Sequence, residues 1–81
     1  MAFIEKELLI SRVQYLEQVH SRPGMQPVEK SVTEKVKQMI QSGELISFMQ
    51  VEAVFNYLVE QKSSDSSQLE EHAREILAFI S

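Results

Sequence analysis

The side chains most able to move a proton near neutral pH are two histidines, His20 and His72, each read near a helix end. A general acid or base works when it is held beside a substrate by a partner that tunes its pKa. Neither histidine belongs to a serine nucleophile elbow or a related triad order. A histidine at a helix end is ordinarily solvated or stabilises the helix dipole. Glu17 and His20 form Glu-x-x-His, a spacing that places both side chains on one helix face and that di-iron bundles use twice. Here it occurs once, and His72 directly follows Glu70-Glu71 at a different spacing. The pair is therefore read as surface polar residues beside a helix end. The chain has no cysteine, which removes disulfides and thiolate metal sites. The residues nominate no catalytic group, no cofactor site and no metal site, and the expectation is a protein that is not an enzyme.

Lys30, Lys35 and Lys37 are the one basic cluster. Lys35 and Lys37 are two apart, so they do not share a helix face, and no glycine-rich phosphate loop accompanies them. Twelve acidic residues against 8 basic ones leave a net charge of −4. Nucleic-acid binders draw affinity from phosphate neutralisation, so this balance argues against specific nucleic-acid binding. Val32 to Gln61 nevertheless reads as helix, short connection, helix, which keeps a DNA-binding helix-turn-helix regulator as a minority alternative. Its second helix offers Gln50, Glu52, Asn56, Glu60 and Gln61 with no Arg or Lys before Lys62, so phosphate would be repelled.

These residues must be placed by helices, since only two glycines and two prolines interrupt the chain. The spacing predicts an all-α fold, a small bundle of about four helices in a single domain over residues 1–81. The first helix is expected from Phe3 to His20, with Ile4, Leu8, Leu9, Val13, Leu16 and Val19 as its stripe. Ser21-Arg22-Pro23-Gly24 stops it, and a loop extended around Pro27 follows. Ser31-Val32-Thr33-Glu34 fits a capping box for a helix to Ser42, with Val36, Met39 and Ile40 buried and Gly43 as its end. Helix continuity through Gly43 is the alternative. Ser47-Phe48-Met49-Gln50 fits the same box for a central helix from Phe48 to Gln61, carrying Met49, Val51, Val54, Phe55, Leu58 and Val59. Beyond a linker at Lys62 to Ser67, Ser67-Gln68-Leu69-Glu70 fits a third box. It opens a last helix from Gln68 to Phe79, with Leu69, Ala73, Ile76, Leu77 and Ile80 apolar. No stretch approaches the ~20 apolar residues of a membrane span. Glu5, Lys6 and Glu7 interrupt the first apolar stretch, so no secretory signal is read and the expected location is cytoplasmic.

The apolar inventory exceeds what four narrow stripes bury. A domain this small has a high surface-to-volume ratio, so some of Tyr15, Phe79 and Ile80 is expected to stay exposed and to meet a partner. The segment Ser47 to Gln61, with Glu52-Ala53 followed by Tyr57-Leu58, resembles the helix around Glu-Ala-x-x-x-Tyr/Phe-Leu in late-transcription coactivators of T4-like phages. Leu77-Ala78-Phe79-Ile80 is similar to that family's acidic-aromatic C-terminal hook, although Ala78 stands where an acid is expected. The resemblance implies a small helical protein that binds RNA polymerase and, through the hook, a sliding clamp. The first 46 residues carry no part of it. The sequence thus points to a non-enzymatic protein–protein interaction module, an adaptor, inhibitor or coactivator of a larger machine, with partner-binding residues Tyr15, Phe79 and Ile80. A structural homodimer is the main alternative.

Overall fold

In the computed structural model, which describes residues 5–20, 30–62 and 65–80, the regular elements are four α-helices. They are α1 (Lys6–His20), α2 (Lys30–Ser42), α3 (Phe48–Gln61) and α4 (Ser66–Ile80), and no strand occurs among the described residues. The all-α reading holds. Phe3 and Ile4, the Ser21–Gly24 stop and the loop around Pro27 lie outside the described residues.

Cross-contacts set the directions. Lys6 and Glu17 of α1 reach Gln41 and Thr33 of α2, so these two helices are antiparallel. Arg12 and His20 reach Glu52 and Asn56 of α3, so α1 and α3 are parallel. Both α2 and α3 touch all three other helices, whereas α1 and α4 do not touch each other. The core lies along the contact of α2 with α3, closed from the sides by α1 and α4. It is built from Leu9, Val13 and Leu16 of α1, Val32, Val36, Met39 and Ile40 of α2, Val51, Val54, Phe55 and Leu58 of α3, and Leu69 and Ala73 of α4. Leu45, in the α2–α3 connection, completes it at 1% exposure.

Gly43 separates α2 from α3, so the continuous-helix alternative is excluded. Its φ of +87° is the left-handed conformation that glycine adopts at low cost. Its N–H donates to the Ile40 carbonyl at 3.1 Å and that of Glu44 to the Met39 carbonyl at 2.9 Å, the bond pair of a Schellman motif. The connection turns Leu45 inward, which a continuing helix would not achieve.

Of the three expected capping boxes, the one at Ser47 forms in part: the serine caps the helix, and the return bond of Gln50 reaches Ile46 rather than Ser47. Ser47 caps α3: its Oγ accepts from the Gln50 N–H at 3.2 Å, while Gln50 Oε1 accepts from the Ile46 N–H at 2.8 Å. The box expected at Ser31 does not form, because α2 already begins at Lys30. Tertiary contact moves that boundary. Val32 is 2% exposed, and Thr33 Oγ1 donates to Glu17 Oε2 at 2.7 Å, so both are held in helix by α1. The buried Ser31 Oγ has no hydrogen-bond partner among the described residues. The box at Ser67 is also displaced, because Asp65 takes the capping place two residues earlier. Its carboxylate accepts from the Ser67 N–H and its carbonyl from the Leu69 N–H, each at 2.9 Å. Glu70 is thereby left to pair with Arg74 at 3.0 Å.

Two residues of the expected stripes point outward. Leu8 is 52% and Met49 71% exposed. Leu8 sits at the margin of the α1 apolar arc, whereas Met49 stands opposite the buried row of α3, so the expected breadth of that helix's apolar surface exceeds what its neighbours cover.

Candidate interaction surface

Helical rotation of about 100° per residue distributes the side chains around the core. On α1, Lys6 and Glu17 mark the flank toward α2 and Arg12 the flank toward α3. Leu8, Tyr15 and Val19 fall beyond Arg12, on the α3 side. On α3, Glu52 and Asn56 reach α1 and Tyr57 reaches α4. Met49, Ala53 and Glu60 stand between those flanks, opposite the core. On α4, Arg74 reaches the carboxylate of Glu44 beside α2 at 3.7 Å. The other flank carries His72 and Glu75 to Tyr57, and Phe79 continues that row by one turn. The three helices α1, α3 and α4 thus present one outer surface on the side away from α2.

Five large apolar side chains are exposed among the described residues: Leu8, Tyr15, Ile46, Met49 and Phe79. Four of them, all but Ile46 in the α2–α3 connection, belong to this outer surface. None is on α2. Of the residues expected to bind a partner, Tyr15 is 55% and Phe79 84% exposed, and Ile80 is half-buried. Phe79 and Ile80 are neighbours on the last turn of α4. Tyr15 is on α1, across α3 from them, on a helix that α4 does not touch.

Arg12 organises the α1 side. Its guanidinium lies 5.6 Å from the Tyr15 ring centroid and 5.0 Å from that of Phe48, and its Nη1 is 3.4 Å from Glu52 Oε1. Arg12 thus stands between the Tyr15 ring and the start of α3. On the α4 side, an open depression of about 330 Å³ is lined by Tyr57, Glu75, Ile76 and Phe79. The Tyr57 hydroxyl donates to Glu75 Oε2 at 3.2 Å, and the same oxygen lies 3.3 Å from His72 Nδ1. The His72 ring meets the Tyr57 ring edge-on, with centroids 5.9 Å apart. The Tyr57 pKa is raised by desolvation first, then by its bond to Glu75 and by the charges of Glu75 and Glu60.

The Glu17–His20 pair serves packing. Glu17 accepts from Thr33 of α2, whereas His20 Nε2 meets Asn56 Oδ1 of α3 at 2.9 Å and its ring leans on Phe55, with centroids 5.6 Å apart. The two side chains tie α1 to different neighbours, a role that their spacing on one helix did not disclose. Sequence reasoning counted Met49 in the apolar surface of the central helix and did not foresee the Tyr57 cluster. Tyr57 carried a signal, an aromatic with Glu60 three residues on, outside the helix's core-facing row.

No helix among the described residues is long and apolar enough to cross a membrane. Comparison with known protein families, characterised proteins and solved structures finds no match to this chain.

Proposed function

We propose that the protein is a non-enzymatic protein–protein interaction module, acting as an adaptor, inhibitor or coactivator of a larger assembly by masking or bridging through the outer surface of α1, α3 and α4. One observation carries this reading: among the described residues, four of five exposed large apolar side chains share the side of the molecule away from α2, with Phe79 the most exposed of them. Apolar side chains gathered on one side, rather than scattered singly, mark an association surface. The resemblance to late-transcription coactivators suggests RNA polymerase or a sliding clamp as the assembly.

The test is affinity capture from a lysate of the source cells with the intact chain and two variants, read by mass spectrometry. Phe79→Ala removes the exposed ring and should lose the captured partner while the thermal melt is unchanged. Ile46→Ser changes an apolar residue outside the surface and should retain the partner. Identical recovery by all three proteins would overturn the assignment of the surface. Unfolding of Phe79→Ala would show that the ring serves the core.

A further inference from the structure

The charge of the chain is unevenly placed. From Phe48 to Ile80, Glu52, Glu60, Asp65, Glu70, Glu71 and Glu75 face only Lys62 and Arg74, leaving −4, which equals the net charge of the whole chain. The remainder, including the lysines of α2, is balanced. On α3 and α4, Glu60 and Glu71 are exposed opposite the core, and Glu75 edges the depression formed with Tyr57, Ile76 and Phe79. The apolar surface therefore has an acidic rim.

We infer that this α3–α4 surface receives a basic amphipathic helix of a partner protein, with its apolar side on Tyr57, Ile76 and Phe79 and its Lys or Arg side chains against Glu60, Glu71 and Glu75. This rests on the interaction-module reading and adds the chemistry of the partner. An open depression between two helices matches the way an amphipathic helix lays its apolar row into a groove, and complementary charge then fixes register and excludes wrong partners. A second copy is a poor occupant. A symmetric pair through this surface would set its carboxylates against their own duplicates. A copy presenting Lys30, Lys35 and Lys37 would offer charge without an apolar side, because no exposed large apolar residue is on α2. Nucleic acids and anionic lipid surfaces are repelled by the same rim.

The experiment measures fluorescence anisotropy of two labelled peptides of about 18 residues, five helical turns, on the intact chain. Both carry the same leucine row; one has lysine and the other glutamate on its polar side. The lysine peptide should bind, and added salt should weaken it. Phe79→Ala, shown to be folded by circular dichroism, should weaken binding about tenfold or more, as expected for an aromatic anchor. The double variant Glu60→Lys, Glu71→Lys should transfer preference to the glutamate peptide, and Ile46→Ser should change nothing. Equal binding of both peptides with loss in Phe79→Ala would overturn the basic partner while leaving the docking surface standing. Binding of the lysine peptide that ignores Phe79→Ala would overturn the surface itself, as would no binding of either peptide by a monomeric chain. A dimer that Phe79→Ala dissociates would make the occupant a second copy and overturn the proposal.

Discussion

Ser31 and Phe55 show how far a residue's meaning depends on its surroundings. Phe55 is an ordinary apolar position of a helical stripe, and it is fully buried as that pattern predicts. Phe55→Ala should cost about 3–5 kcal/mol, the usual range for a buried aromatic. The total stability of a domain this small is about 5 kcal/mol at the low end of the normal range, so the variant should be largely unfolded by chemical denaturation. Ser31 has the sequence of a cap but lies inside α2, with its hydroxyl buried and without a hydrogen-bond partner among the described residues. A true cap would lose about 1 kcal/mol on change to alanine. Here Ser31→Ala removes a desolvated hydroxyl and improves helix propensity, so it should stabilise by about 1 kcal/mol. A lowered urea midpoint would return Ser31 to the capping role.

Each helix end is an outcome of local chemistry competing with packing. α3 ends on Lys62, whose φ of 55° and ψ of 36° are left-handed, and its N–H donates to the Leu58 and Val59 carbonyls. A side chain in that conformation is strained by about 1 kcal/mol, so Lys62→Gly should raise the melting temperature. Asp65 starts α4, so Asp65→Ala should cost about 1 kcal/mol, whereas Ser67→Ala should be nearly neutral. The Arg74 guanidinium ties α4 to Glu70 and to Glu44 of the α2–α3 connection. Its hydrogen bond, helped by the charge of Lys35, holds the Glu70 carboxyl below its usual value of 4.5. A carboxyl with a depressed folded pKa contributes stability that is present above about pH 4.5 and is lost as pH falls through the folded value. Arg74→Gln should therefore lower the neutral end of a stability-against-pH curve slightly, since the pair is exposed, and leave the acid end unchanged, which flattens the acid limb.

At the scale of the whole molecule, α2 closes one side of the α1, α3, α4 layer, and no helix among the described residues lies over the opposite side. That asymmetry gathers Leu8, Tyr15, Met49 and Phe79 on one surface. It also sets the acidic α3–α4 hairpin against the lysines of α2. Repulsion between copies across the acidic rim should keep the chain monomeric in light scattering and sedimentation at about tens of micromolar, with no change on Phe79→Ala. A stable dimer would favour the structural homodimer instead.

The amino-acid sequence by itself determined the number and kind of elements. Apolar steps of three and four, with breakers confined to a few places, leave helices as the economical way to bury a core here. It also determined the ends of α3 at Ser47 and of α2 at Gly43, because those rest on bonds between residues a few positions apart. Tertiary structure decided the start of α2, where Glu17 holds Thr33 in helix, and the inward turn of Leu45. It decided that Leu8 and Met49 face outward, and that Tyr15 and Phe79 share a surface without touching. Periodicity gives the width of an apolar arc but not which part of the arc a neighbour covers, and that depends on how helices distant in sequence pack together.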